Sequence, residues 1–114
     1  MADPRRVLGA DGEARAAAWY VAQGYTVVCR NWRCREGELD LVVRRGRELV
    51  FVEVKTRTTD RFGIPAEAVT VAKQRRLRSL AARYLSDTGT RAGTLRFDVV
   101  AILAGDLQVI EAAF

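Results

Sequence analysis

Residues 35–57 read R-E-G-E-L-D-L-V-V-R-R-G-R-E-L-V-F-V-E-V-K-T-R: two runs, 38–45 and 48–56, rich in Val, Leu and Phe with charges at alternate positions. That alternation predicts two strands. Gly46-Arg47 between them suits a two-residue type II′ turn, because glycine supplies the positive φ required at the first central position. A turn of that length fixes the register. Arg45 then faces Glu48, and Arg44 with Leu49, Val42 with Phe51, Asp40 with Glu53, and Glu38 with Lys55 share one face. The other face carries Leu39, Leu41, Val43, Val50, Val52 and Val54, a set that a one-residue slip would scatter.

The charged face gathers three carboxylates and a lysine at one end. Directly opposed Cβ atoms on antiparallel strands lie roughly 4.5–5.5 Å apart, so Asp40 and Glu53 can converge on one cation, with Lys55 and Glu38 beside them. Carboxylates that close repel unless one is protonated or a metal sits between them. Mg²⁺, hard and oxygen-ligated, is the natural guest. A plain surface hairpin with cross-strand ion pairs is the competing interpretation. Against it, Leu49, Phe51 and Val42 lie on the same face as the charges, so something must cover that face.

Asp40, twelve residues, then Glu53-Val54-Lys55 resembles the D…(D/E)-x-K signature of the restriction-endonuclease-like PD-(D/E)xK nuclease superfamily, which includes archaeal Holliday-junction resolvases. Leu39 stands where many members have proline. The strings G-A-D-G-E-A, G-Y-T-V-V-C-R-N-W-R, G-E-L-D-L-V, F-V-E-V-K-T-R, G-I-P-A-E-A-V, K-Q-R-R-L and R-F-D-V-V follow in that order. Over nearly the whole chain they are similar to the YraN family of small bacterial proteins, generally regarded as nucleases without an established substrate. The resemblance implies Mg²⁺-dependent hydrolysis of DNA phosphodiesters, Mn²⁺ substituting, in branched or recombination and repair intermediates. It implies metal ligation by Asp40, Glu53 and the Val54 carbonyl with Glu13 or Glu38. Lys55 would orient the attacking water or stabilise the transition state, assisted by Lys73 or Gln74. The rival is a non-catalytic DNA-binding module or recombination partner of the same fold.

The 114 residues, 49% hydrophobic and 29% charged, suit one domain spanning 11–114 behind a loose arm, 1–10. Lys and Arg number 19 against 14 Asp and Glu, a net charge of +5 that favours an anionic partner such as nucleic acid. No apolar run is long enough for a bilayer and no secretion signal opens the chain, so the expected location is cytoplasmic, without membrane contact. With no histidine, Ser-His-Asp, Cys-His and histidine general-base chemistry are excluded. Cys29 and Cys34 read as reduced structural thiols.

Elsewhere, Asp11 offers an N-cap for a helix through 23, stopped by Gly24, with Ala14, Ala17, Ala18 and Val21 as its buried stripe. Glu13 falls in its first turn. A strand at 25–30 leads into a loop, 31–37, where Arg30, Arg33 and Arg35 surround Trp32; the arginines suit phosphate contact, the tryptophan packing. A polar loop, 56–63, brings Arg57 and Arg61 as a flap, followed by a helical turn at 65–68. Thr70 can cap a second helix reaching 86, whose stripe of Leu77, Leu80, Ala81, Tyr84 and Leu85 continues back to Lys73 and Gln74. Lys73 there needs an anion on the sheet or a route to solvent. Arg76 joins the candidate phosphate contacts. Strands at 95–103 and 107–111 complete the order α-β-β-β-α-β-β, a restriction-endonuclease-like α/β fold with a mixed sheet covered by helices. Asp98, in an apolar run, is expected to pair structurally with Arg96. One copy offers one site, so cutting both strands of a junction points to a homodimer; a recombination or repair protein is the other expected partner.

Overall fold

From the turn out to Leu41 and Val52 the hairpin forms in the expected register, while the expected pairs Asp40 with Glu53 and Glu38 with Lys55 fall beyond the end of the ladder. β2 (Gly37–Arg45) and β3 (Glu48–Arg57) are antiparallel, with Arg45 opposite Glu48, Arg44 opposite Leu49, Val42 opposite Phe51 and Leu41 opposite Val52. Of the two turn residues only Gly46 has positive φ, 60°, as a type II′ turn requires. The computed structural model describes residues 4–57 and 70–114. It places β1 (Thr26–Cys34) beside β2, and β4 (Thr94–Leu103) then β5 (Asp106–Ile110) beyond β3. β3 and β4 are parallel and the other neighbours antiparallel. With α1 (Pro4–Ala22) and α2 (Val71–Thr88) the expected element order holds: a mixed α/β fold with one five-stranded mixed sheet.

Parallel pairing of β3 with β4 demands a crossover, and α2 lies on it. Thr70 caps α2, its Oγ1 accepting from Lys73 N–H at 3.3 Å, and Gly89 ends it in the left-handed conformation at φ 68°. Leu77, Leu80, Ala81 and Tyr84 pack on Val42, Leu49, Phe51 and Phe97. The charged face of the hairpin is therefore covered. On the opposite face α1 packs Ala16, Ala17 and Tyr20 against Leu41, Val43, Val50, Val52, Val100 and Ile102. Neither described helix is long and apolar enough to cross a membrane.

Several expectations need correction. The first helix begins at Pro4, not after Asp11, so helical backbone occupies most of the expected arm; proline is well suited to a first helical turn. From residue 11 on its buried residues are Gly12, Ala16, Ala17 and Tyr20, while Ala14 and Ala18 face solvent and Val21 is 56% exposed. The cause is Tyr20, whose hydroxyl donates to Asp98 Oδ2 at 2.7 Å and sets the helix's rotation. The expected loop 31–37 is mostly strand: β1 runs to Cys34 and only Arg35-Glu36 turns. Leu39 packs with the α2 cluster, not with Leu41 and Val43. β3 extends to Arg57, and the remainder of the expected flap, with the helical turn at 65–68, lies outside the described residues.

Gly12 marks where α1 sits tightest on the sheet. A Cβ there would collide with Thr56 Oγ1 and lie 3.4 Å from Ile102 Cδ1. Gly12→Val is expected to lower stability by about 2 kcal/mol in urea unfolding, because the overpacked helix must lift from β3 and β4. Unchanged stability would show that α1 is not seated there.

Candidate active site

The β2–β3 ladder ends with Leu41 opposite Val52. At the next step the Asp40 side chain takes over, its Oδ2 accepting from Val54 N–H at 2.9 Å. Glu53, only 6% exposed, looks toward the start of α2. There Lys73 Nζ comes within 3.2 Å and Lys55 Nζ within 3.4 Å of its Oε1. Lys73, continuing the apolar stripe of its helix, thus takes the first of its two expected alternatives, an anion on the sheet. A buried carboxylate without such partners would be strongly destabilising. Asp40, Glu53, Val54, Lys55, Glu38 and Arg76 line an open cavity of about 360 Å³.

Burial pushes the Asp40 carboxyl up to about 6; the Val54 N–H opposes the rise, while Glu53, Glu13 and Glu38 add to it. Burial also lowers Lys55, as does neighbouring Lys73, against the pull of Glu53. Glu13 is raised by burial and by Glu38, and held down by a hydrogen bond with Asn31 and by Arg30 and Arg33. A carboxyl crowded by other acids beside a solvent-open cavity lowers its energy by sharing a cation with them. Among the described residues no three acidic, His or Cys side chains form a ready-made metal cage. Asp40 and Glu53 with the adjacent Val54 backbone do fit a hard ion such as Mg²⁺, which commonly takes one or two carboxylates and completes its shell with water and phosphate.

Of the other candidates, Glu13 is half-buried on α1 and sensed electrostatically by Asp40. Glu38 is exposed and paired with Arg33 at 2.9 Å. Gln74 is half-buried, one residue beyond Lys73. Arg30 lies near Glu13, Arg35 is exposed in the β1–β2 turn, and Arg76 is at the cavity. Arg57 instead lines a separate cavity with Asp11, Arg15 and Thr56. Arg61 falls outside the described residues. Trp32 packs edge-on against Tyr84, ring centres 5.4 Å apart, which makes it a packing residue.

Asn31 is the participant that sequence reasoning missed. It lies in β1 between the pairs Arg30 with Leu41 and Trp32 with Leu39, level with Asp40, and adopts φ 53°. The left-handed residue twists the edge strand beside the site, where Leu39 passes to the α2 cluster, and the side chain engages Glu13. The available signal was asparagine itself, one of the few non-glycine residues that enter that conformation readily.

A family model described as "Uncharacterised protein family UPF0102" matches residues 12–102. A UPF0102 protein of Beutenbergia cavernae is 57% identical over 96 residues, 84% of this chain and 81% of the relative. One from Rhodococcus jostii is 54% identical over 86% of this chain and 83% of its own. One from Moorella thermoacetica is 46% identical over the full length of both.

Proposed function

The chain belongs to the UPF0102 family, which corresponds to the YraN family, and we propose that it is a metal-dependent endonuclease of the restriction-endonuclease-like type, hydrolysing DNA phosphodiesters in branched or recombination and repair intermediates. One observation carries this: Asp40, Glu53 and Lys55 meet in a single open cavity where β2 and β3 part. The mixed sheet and the element order support it.

Asp40, Glu53 and the Val54 carbonyl would hold Mg²⁺ or Mn²⁺, with Glu13 or Glu38 in support. When bound, the ion polarises the phosphate and acidifies a coordinated water. The protein's own groups supply the rest. The Val54 N–H fixes the rotamer of Asp40. Lys55, lowered from its ordinary range by burial, is suited to orient a water and hold or pass a proton at Nζ. Lys73 stands on the same Glu53 oxygen and adds positive charge toward the transition state, with Gln74 beside it. Arg76 at the cavity provides a phosphate contact. A homodimer would bring two such sites to the two strands of a junction.

The test is cleavage of labelled junction, flap, single-stranded and linear duplex DNA in Mg²⁺ or Mn²⁺. Cutting is expected to vanish in EDTA and to fall at least about a hundredfold in Glu53→Gln and Lys55→Ala. Binding without cutting in either metal would overturn the enzyme in favour of a DNA-binding module.

A further inference from the structure

The hairpin's other end carries a basic patch outside the catalytic machinery. Arg44, Arg47 and Arg91 line a further open cavity, of about 380 Å³, together with Ala92 and Gly93. Its walls are built. Arg47 O accepts from the Gly93 and Thr94 N–H groups at 2.7 and 3.2 Å, tying the loop after α2 to the hairpin turn. A Cβ on Gly93 would lie 3.0 Å from Arg47 Cβ. Arg44 donates through Nη1 to the Gly46 carbonyl at 3.4 Å and through Nη2 to the Arg91 carbonyl. Its guanidinium is therefore oriented by backbone rather than by an acid. Among the described residues none of the three arginines has a carboxylate within ion-pairing distance, whereas Arg33, Arg83 and Arg96 all do. Three uncompensated, partly oriented guanidinium groups around a cavity form an anion site, and the planar fork suits phosphate oxygens.

Placement identifies the anion. Arg44 shares its sheet face with Val42, Leu49 and Phe51, the face that α2 covers and on which Glu53 meets Lys73. The catalytic cavity lies at the start of α2 and the arginine cavity just past its end. Arg44 lies four strand residues from Asp40, and the turn that carries Arg47, which reverses the chain after Arg45, lies about six positions along the same axis, roughly 13–20 Å at about 3.3 Å per residue. Duplex DNA advances about 3.4 Å per base pair along a strand. We propose that Arg44, Arg47 and Arg91 bind the phosphate backbone of duplex nucleic acid roughly four to six base pairs from the bond held in the catalytic cavity, so that a duplex arm lies along α2. This rests on the nuclease assignment but concerns binding, which is measured separately from cutting.

The experiment is fluorescence anisotropy of wild-type protein in EDTA with duplexes of about 6 and 20 base pairs, titrated from about 50 to 200 mM salt. For the long duplex, Arg44→Ala/Arg47→Ala/Arg91→Ala is expected to weaken binding at least about tenfold and to reduce the salt slope by about 2–3, roughly 0.9 per lost phosphate contact. The short duplex should be affected much less. Arg47→Glu/Arg91→Glu, which spares the backbone-anchored Arg44, should give the same pattern, and Arg44→Lys/Arg47→Lys/Arg91→Lys should regain most of the slope. An unchanged slope in both multiple variants would overturn the patch while leaving the nuclease assignment standing. No binding of wild type to any DNA would overturn both. Competition by poly-glutamate as effective as that by duplex would also overturn it, marking the patch as a seat for an acidic polypeptide.

Discussion

Asp40→Asn is expected to reduce cleavage about a thousandfold while making the metal-free protein more stable. The amide keeps an oxygen to accept the Val54 N–H but loses the charge with which Asp40 would hold the proposed metal. Stability moves the other way because the wild-type carboxylate is held at a cost. Burial, Glu53, Glu13 and Glu38 raise it from an ordinary 3.8 to about 6. With the folded value above the unfolded one, Asp40 carries no penalty below about pH 4. The penalty grows as pH rises between the two values and is complete above about pH 6. The shift corresponds to about 3 kcal/mol at most. Asp40 retains contact with an open cavity, and solvent screening reduces the figure to about 1 kcal/mol, a few degrees in Tm. Urea unfolding of both proteins in EDTA should show the asparagine variant ahead at about pH 7.5 and level with wild type at about pH 4. Equal stability at both values would mean that Asp40 is not a crowded, desolvated carboxylate.

Such a trade of stability for a charged site also governs what could be read from residues alone. The hairpin was legible from Leu41 to Val52 because period-two alternation and Gly46 leave one register; that register brings Asp40 and Glu53 to the same end, but the pairing expected between them gives way to the bond from Val54 N–H to Asp40. Lys73 was legible only in part: it extends an apolar stripe toward an acidic face, but spacing alone left a route to solvent equally open, and the family resemblance decided between them. The phase of α1 was not. Ala14, Ala16, Ala17 and Ala18 offer little contrast between faces, and the choice falls to one hydroxyl bond between residues 78 apart, Tyr20 and Asp98. The length of β1 was hidden for a similar reason. R-N-W-R-C has no strand pattern of its own; its ladder with β2 holds it extended, and Leu39 joins the α2 cluster beside a left-handed Asn31, an irregularity that periodicity cannot express. The expected pairing of Asp98 with Arg96 is found, but its extent depends on groups from four separate segments.

Removing Arg96 is expected to cost more than any surface change in the molecule. Asp98 is 1% exposed. Its Oδ1 accepts from Arg96 Nε at 2.8 Å and Ala112 N–H at 2.9 Å, and its Oδ2 from Arg96 Nη2 at 2.8 Å and Tyr20 OH at 2.7 Å. Arg96 also reaches Glu48 at 3.0 Å and the Tyr25 hydroxyl at 3.1 Å. Hydrogen bonding to Asp98 raises Arg96 above its already high range, and burial raises the Tyr20 phenol, so both remain protonated donors. Arg96→Met strands a buried carboxylate, with an expected loss of about 3–5 kcal/mol. Asp98→Leu in the same chain removes that stranded charge, so the double variant should recover much of the loss. Catalysis should follow stability only in part. Tyr20 hangs α1 on this cluster, and Glu13 lies seven residues earlier, two turns along the same helix face. Tyr20→Phe leaves the Arg96–Asp98 pair intact and is expected to cost about 1 kcal/mol. It should nevertheless weaken metal-dependent cleavage through the looser seating of Glu13, an effect absent when Glu13→Gln is already present. If Tyr20→Phe lowers cleavage equally with and without Glu13, the cluster supports the fold alone and α1 contributes no ligand to the site.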